Sequence, residues 1–302
     1  MPEGHSVHRI ARQFALHFVG RSVAVSSPQG RFVAGAKQLD GRVIIDAKAV
    51  GKVMLLEFDN GLWLRVHLGL YGAWDFTGDI SVGASIGVGA SIGAPRRTRL
   101  RMAEQENLET PAESFPPPPV GAVRARLLTD ATCADLRGPT ACDVLTPEEV
   151  QAVIDRLGPD PLLDSGQAAE DRFVATVLKK PTPICLLLMD QSVVAGIGNV
   201  YRAELLFRAR LNPHIPGRDL PEQTVRDLWK DWSKLLAIGV QTGQMMTMDG
   251  LSTEGYDGAM ASRSDRHWVY HRTGEPCRVC GTPIVMEEIG GRKLYWCPKE
   301  QS

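Results

Sequence analysis
The chain has 302 residues, 43% of them hydrophobic, and its 34 Lys and Arg nearly balance 35 Asp and Glu, for a formal net charge of −1. That much apolar material suffices for two substantial domains, and no apolar run approaches the roughly 18 residues that cross a bilayer, which excludes a helical membrane protein. A near-neutral chain has no general attraction for nucleic acid, so any such binding must come from a local basic face. Six cysteines are too few for a disulfide scaffold and point to a reducing, cytoplasmic setting.

The chain opens Met1-Pro2-Glu3-Gly4. A small penultimate residue such as Pro2 favours removal of the initiator Met, which leaves a secondary amine at the chain end. An α-amino group titrates at about 7.7–8.0, so a useful fraction is unprotonated at neutral pH. Such an amine can attack an electrophilic carbon and form an iminium, and Glu3 beside it can supply or take the proton. Most chain ends are frayed tails. Here, however, Val7, Ile10, Ala11, Phe14, Ala15 and Phe18 share one face of a helix that stops at Gly20, so the end is predicted to be anchored.

Strand-like runs follow at 22–26, 42–47, 53–58 and 62–68. Asp59-Asn60-Gly61 between the last two is a hairpin signal, because Asn and Gly tolerate positive φ. This run of strands predicts a sandwich or barrel. Gly51-Lys52 heads the hairpin, where a lone lysine is by default a solvated charge. In His67-Leu68-Gly69-Leu70-Tyr71-Gly72, two apolar residues sit on a turn between glycines. That pattern ordinarily makes a packed corner; it can also make a wedge that fills a base stack after a nucleotide is extruded. Residues 77–119 read as a flexible insertion: VGASIG occurs twice, at 82–87 and 88–93, followed by Arg96, Arg97, Arg99 and Arg101, an acidic stretch and Pro116–Pro119. A returning strand is predicted at 123–128.

Thr146-Pro147-Glu148-Glu149 is a helix start with Thr as N-cap, Pro at the first position and Glu at the third. The helix ends at Leu157-Gly158, and Pro159-Asp160-Pro161 reads as a stiff linker at a domain boundary. Helical periodicity dominates 171–239. Within it, Gly196-Ile197-Gly198-Asn199 precedes a helix, an arrangement whose free backbone N–H groups and Asn199 amide suit a phosphate, though a helix–turn–helix corner needs no ligand. The most specific pattern is Cys277-x2-Cys280-x16-Cys297, the ligand spacing of a zinc ribbon, with Glu300 where a fourth Cys is expected. Carboxylate is an allowed zinc ligand, so three cysteines and Glu300 define a weaker version of the site, and a unit this small needs metal to fold. Cys133, Cys142 and Cys185 read as reduced fillers. Between the knuckles, strands at 284–289 and 292–297 join at Gly290-Gly291, which puts Arg292 at a hairpin tip suited to phosphate.

Taken in order, Pro2-Glu3-Gly4, Gly51-Lys52, His67-Leu68-Gly69, the 196–204 run, Arg292 and the cysteine knuckles resemble the formamidopyrimidine-DNA glycosylase/endonuclease VIII family across nearly the whole chain. Met1–Arg9, the stretch 27–32 and Leu70-Tyr71-Gly72 are most similar to the actinobacterial endonuclease VIII branch. The resemblance implies an α+β multidomain fold: a β-sandwich with an N-terminal helix (1–157), a helix–two-turn–helix domain (158–265) and a zinc-finger-like β-hairpin (266–302). It implies a monomer that binds damaged DNA, duplex or single-stranded, and holds one structural zinc. By this resemblance Pro2 is the nucleophile at C1′, Glu3 protonates the sugar and shuttles protons, and Lys52 assists at a nearby phosphate. Asn199 and Arg292 hold the flanking phosphates, and Leu70 and Tyr71 fill the vacated stack. The implied outcome is release of an oxidised pyrimidine followed by β,δ-elimination. Two departures bear on specificity: Ser6 stands where many members have a second Glu, and Gly69 where some endonuclease VIII relatives have a polar wedge residue. A non-catalytic or lyase-only relative that recognises abasic, gapped or single-stranded DNA would keep the scaffold, but mere binding has no need of Pro2, Glu3 and Lys52 together. An unrelated zinc-ribbon protein leaves all three unexplained.

Overall fold
The structure, a computed structural model, describes residues 2–80, 98–103, 106–109, 114–164, 166–262 and 265–302. The chain divides into two compact units, Met1–Arg156 and Leu157–Ser302.

In the first unit, helix α1 (Gly4–His17) carries the predicted stripe apart from Ala15, which is exposed: Val7, Ile10, Ala11 and Phe14 are buried, with Phe18 just beyond its end. Ten strands follow: β1 (Ser22–Ser26), β2 (Arg42–Val50), β3 (Val53–Phe58), β4 (Trp63–His67), β5 (Ala73–Gly78), β6 (Thr98–Met102), β7 (Glu106–Glu109), β8 (Val123–Leu128), β9 (Thr132–Arg137) and β10 (Ala141–Leu145). They pair antiparallel in the order β10-β4-β3-β2-β1-β8-β9-β5-β6-β7. Only Ser22↔Val43 and Val23↔Arg42 join β1 to β2, and there the ladder folds over into a β-sandwich. One core collects Met54, Leu56, Phe58, Leu64 and Val66 from one layer, Trp74, Phe76, Leu100, Leu127 and Leu136 from the other, and the α1 stripe. Phe14 meets Trp74 and Phe76 edge-on, with centroids 4.8 and 5.1 Å apart, the preferred aromatic geometry. Burying such side chains, each worth about 1.5–3 kcal/mol, is what fastens α1 and therefore the chain end.

The reading of 77–119 as one flexible insertion is corrected. β5 runs to Gly78, and β6 and β7 extend the same sheet, with Leu100 and Met102 in the core. The Pro-rich stretch is also engaged: Arg126 Nη1 donates to the Pro117 carbonyl (2.9 Å). The tandem repeat and Arg96-Arg97 lie outside the described residues. Helix α2 (Val33–Leu39) was not expected from a seven-residue stretch this rich in Ala and Gly.

Helix α3 (Pro147–Asp155) closes the first unit with the predicted reciprocal cap: Glu149 N–H donates to Thr146 Oγ1, and Thr146 N–H to Glu149 Oε2. The second unit contains α4 (Gln167–Leu178), α5 (Ile184–Leu187), α6 (Asn199–Arg208), α7 (Glu222–Thr242), α8 (Thr253–Ala261) and the hairpin β11 (Val285–Ile289) and β12 (Arg292–Trp296). Pro159-Asp160-Pro161 is packed into this unit, since Asp160 is 1% exposed and the Pro159 carbonyl accepts from Ala195 N–H (3.1 Å). Between α5 and α6 the chain makes two tight turns at 190–198, stapled by Gln191: its side chain accepts from Gly196 N–H and donates to the Ile197 carbonyl. α6 is buried all round. One side joins Phe173, Trp229, Trp232 and Leu236, and the other packs Ala203 and Phe207 against Val269, Tyr295 and the cysteine ribbon. Among the described residues, no helix is long and apolar enough to cross a membrane.

Candidate active site and nucleic-acid interface
Pro2 and Glu3 sit at the mouth of α1. Pro2 is buried and Glu3 is 1% exposed; the Glu3 carbonyl accepts from Ser6 N–H (3.0 Å) and Val7 N–H (3.3 Å), so the helix begins immediately after it. The frayed-tail alternative fails on that burial. A helix N-terminus carries a positive field of about half a charge, which disfavours an ammonium there and favours the free amine. His5, fully buried with Ser6 Oγ 3.1 Å from its Nε2, is pushed down to about 3 by burial first and then by Arg9 and His8. It is therefore neutral at physiological pH and adds no charge beside the chain end. Met1 lies outside the described residues.

Lys52 lies in the turn between β2 and β3, the two strands against which α1 packs. Gly51 takes φ +56° there, and Lys52 is 8% exposed, so it is not the solvated charge its isolation suggested. Its neighbour across the β3–β4 pairing is His67, whose partner is Val53. Burial holds the His67 pKa below its ordinary value, the nearby Lys52 ammonium lowers it further, and a bond to the Lys52 backbone acts the other way. Lys52 thus places a buried cation beside an imidazole held toward its neutral form.

The turn after β4 needs glycine at two positions for steric reasons. At Gly69 (φ +66°) a Cβ would lie 1.8 Å from Thr140 Oγ1, and at Gly72 one would lie 2.2 Å from the Leu68 carbonyl. Leu68 fills the packed corner at 3% exposure, while Leu70 and Tyr71 project at 48% and 82%. Two large apolar side chains thus stand on an exposed tip framed by glycines, contrary to the packed-corner reading.

In the second unit the structure brings Asn199 and Arg292 together. Asn199 Nδ2 donates to the Lys293 carbonyl (2.8 Å), one residue beyond Arg292. Arg202, fully buried, donates to Asn199 Oδ1 (2.5 Å) and to the same carbonyl (3.0 Å). Gly290 (φ +61°) and Gly291 (φ +69°) form the hairpin tip, where a Cβ on Gly290 would meet Leu186 at 2.6 Å. The result is an exposed Arg292 next in sequence to the carbonyl that Asn199, the first residue of α6, holds. Sequence reasoning missed two residues that build this cluster. Glu204, 0% exposed, accepts from Trp268, Val269 and Tyr270 N–H (2.8–2.9 Å) and from Thr247 Oγ1 (2.5 Å), tying α6 to the chain that leads into the ribbon. Arg202 is the other. The available signal was a pair of charges, Arg202 and Glu204, inside an otherwise apolar helix.

The Sγ atoms of Cys277, Cys280 and Cys297 lie within 4.8 Å of one another, with Cys280 and Cys297 3.6 Å apart. Val279 N–H points at Cys277 Sγ (3.5 Å). Three soft donors gathered this closely, with a backbone N–H directed at one sulfur, fit a tetrahedral zinc. Glu300 does not stand among them: its carboxylate faces Arg210 Nε at 3.8 Å.

Three domain families match the chain in order: the formamidopyrimidine-DNA glycosylase N-terminal domain over residues 1–113, its helix–two-turn–helix domain over 157–249, and the zinc finger found in formamidopyrimidine-DNA glycosylases and isoleucyl-tRNA synthetases over 274–299. Endonuclease 8 1 of Mycobacterium tuberculosis is 39% identical over 298 residues, covering 99% of this chain and 98% of that protein. The formamidopyrimidine-DNA glycosylase of Thermus thermophilus is 38% identical over 143 residues, 47% of this chain and 52% of its own length. Its crystal structure superposes with a TM-score of 0.67 at 25% identity, over 99% of this chain and 98% of that one. The Lactococcus lactis enzyme, non-covalently bound to abasic-site DNA, superposes with a TM-score of 0.73 at 19% identity, over 99% of each chain, a likeness of fold.

A β-sandwich, a helix–two-turn–helix segment and a cysteine ribbon in this order define a DNA-repair glycosylase architecture. The chain belongs to the formamidopyrimidine-DNA glycosylase/endonuclease VIII family, whose members act in base-excision repair of damaged bases.

Proposed function
We propose that the chain is a bifunctional DNA glycosylase and abasic-site lyase that removes oxidised pyrimidines, with Pro2 as nucleophile once Met1 is removed. The observation that carries this reading is the anchoring of Pro2-Glu3 at the start of a buried helix, where burial and the helix field both favour the free amine. The Pro2 nitrogen bonds to C1′ of the damaged nucleotide as the glycosidic bond breaks and the base departs with a proton. Glu3 delivers a proton to the ring oxygen, the C1′–O4′ bond opens and an iminium remains. Loss of a C2′ proton expels the 3′ phosphate, and loss of a C4′ proton then expels the 5′ phosphate. Water releases the amine.

Lys52 assists at a phosphate beside the lesion, and Asn199 and Arg292 bind flanking phosphates. Leu70 and Tyr71 occupy the stack vacated by the flipped nucleotide; their exposure on a glycine-framed tip supports that role. Several phosphate contacts make binding strongly salt-dependent. One zinc held by Cys277, Cys280, Cys297 and Glu300 fixes the hairpin that presents Arg292. The three functional segments are 1–157, 158–265 and 266–302, and the protein acts as a monomer.

Borohydride trapping on DNA carrying an abasic site or an oxidised pyrimidine tests the chemistry. A covalent adduct is expected on both substrates, lost when Pro2 is replaced by Gly or the N-terminus is blocked. An adduct on the abasic site without base release on any oxidised pyrimidine reduces the chain to a lyase. No adduct from protein whose N-terminus is shown to be Pro2 defeats the proposal.

A further inference from the structure
Glu300 occupies the position at which the second knuckle would place a fourth cysteine, three residues after Cys297. It is nevertheless turned toward Arg210, and the backbone explains the encounter. Gln301, fully buried, accepts from Cys297 N–H (2.9 Å) with its side-chain oxygen and donates with its amide nitrogen to the Leu211 carbonyl (3.1 Å). That clip joins the residue after Glu300 to the residue after Arg210, so the two charged side chains stand next to each other. Arg210 follows the C-terminal end of α6 in the left-handed region, φ +49°, a position at which glycine is the unstrained choice. The end of the helix thus fixes the backbone from which the Arg210 side chain departs.

The pair itself is weak. Its closest approach is 3.8 Å, Arg210 is 71% exposed, and both residues line an open cavity of about 380 Å³ that also touches Val279, between the first two cysteines. A solvent-screened pair of this kind holds a carboxylate only loosely. A zinc ion bound by three thiolates has one tetrahedral position left, and Glu300 is an acidic side chain on the same Cys297–Gln301 turn.

Resting on the zinc-ribbon reading above, we infer that Glu300 is an exchangeable fourth ligand for which zinc and Arg210 compete, so that Arg210 sets how easily the ribbon releases its metal. On metal uptake the three thiols lose their protons to solvent, the Arg210–Glu300 pair breaks, and the carboxylate closes the coordination shell. Metal loss returns Glu300 to Arg210. The family spacing with a fourth cysteine has no such competitor, because a thiol forms no ion pair with a guanidinium at neutral pH.

The test uses the full, reduced chain stripped by chelator, titrated with zinc against a chromophoric chelator and separately with cobalt(II), whose visible bands report the donor set. Glu300→Gln is expected to weaken zinc by at least about tenfold and to shift the cobalt bands. Arg210→Gln, which keeps the chain length and the backbone cost but removes the charge, is expected to tighten zinc roughly two- to fivefold. The same change made in the Glu300→Gln protein is expected to have no effect. Glu300→Cys should bind zinc more tightly than any of these. Unchanged affinity and cobalt spectrum in Glu300→Gln overturn the inference while leaving a three-thiolate zinc site standing. Equal tightening by Arg210→Gln in both backgrounds also overturns it. Failure of every variant, including Glu300→Cys, to bind either metal defeats the zinc reading and this inference with it.

Discussion

Both units pair carboxylates with arginines, as Arg208 with Asp231 and Arg226 with Glu170 do in the helical unit, but they differ in how they hold a deeply buried carboxylate. In the β-sandwich, buried carboxylates face arginines: Asp135 takes two bonds of 2.7 Å from Arg126, and Asp75 lies 3.2 Å from Arg137 and 3.4 Å from Arg101. In the helical unit, Glu204 is satisfied by three backbone N–H groups and a hydroxyl. The first arrangement joins side chains on neighbouring strands that the ladder already aligns. The second joins a helix to a segment 64 or more residues away, alongside the packing of Ala203 and Phe207 against Val269 and the stacking of Phe207 on Trp268. The charge pairs in the sandwich thus join strands that already pair, whereas Glu204 ties α6, which begins at Asn199, to the segment leading into the ribbon that carries Arg292. The N-terminal chemistry differs again, since Pro2 and Glu3 are placed by apolar packing of α1.

The largest effect separates chemistry from fold. Glu3→Gln is expected to lower the single-turnover rate of base release and strand nicking by about 10²- to 10⁴-fold, the range for loss of a positioned acid, with an unchanged unfolding midpoint. A large loss of stability would instead make Glu3 a structural residue and erase the distinction between packing-placed and bond-placed groups. Glu204→Leu comes next: it strands three amide donors and is expected to cost about 3–5 kcal/mol in urea unfolding. The paired change Asp135→Leu with Arg126→Met, which removes both charges of a buried pair, should cost far less, within about 1–2 kcal/mol or none. If the pair proves as costly as Glu204, the contrast between the two units is broken.

A pH experiment sharpens the N-terminal side. His5 titrates at about 3 in the folded chain against 6.5 ordinarily, so the folded state binds fewer protons than the unfolded one between those values. Stability from this group is complete above about 6.5 and declines as pH falls below it, at up to about 1.4 kcal/mol per unit. Comparing denaturant midpoints at pH 7 and pH 5 for the native chain and His5→Gln should show a smaller drop in the variant. An equal drop would remove His5 from the account of how the chain end stays neutral.

How much of this was legible follows from the range over which each signal acts. The α1 stripe from Val7 to Phe18, Ala15 excepted, the strands Ser22–Ser26 and Val53–Phe58, the Thr146–Glu149 cap and the cysteine spacing are local, and the structure places them as read. β5 was not legible, because Asp75 and Thr77 made a fully buried strand look like the edge of a loop; the arginines that neutralise Asp75 come from strands 26 and 62 residues later. The insertion reading failed for the same reason at β6, whose arginines look solvated until Asp75 is placed opposite Arg101. At the site, Lys52 and Asn199 could be named from short motifs. Their partners could not: Asn199 bonds to a carbonyl 94 residues away, and Glu204 binds amides that carry no side-chain signature. Glu300 was legible as a position in a spacing, and its contact with Arg210 was not.

The smaller effects concern the two glycine-framed tips, and they differ in kind. Tyr71→Ala removes an exposed ring with no structural partner to lose, so stability should be unchanged within about 0.5 kcal/mol. Binding to DNA containing an abasic site should weaken by about 1–3 kcal/mol, the worth of one base–aromatic stack. Because stacking releases no counterion, the slope of log affinity against log salt should stay as it was. Arg292→Ala should do the reverse, weakening affinity across sequences and reducing that slope by about one. The pair of measurements distinguishes a wedge from a phosphate clamp without any knowledge of the lesion. A changed salt slope in Tyr71→Ala, or an unchanged one in Arg292→Ala, would mean that the tips do not divide the work in this way, and the Asn199–Arg292 cluster would lose its assignment to phosphate.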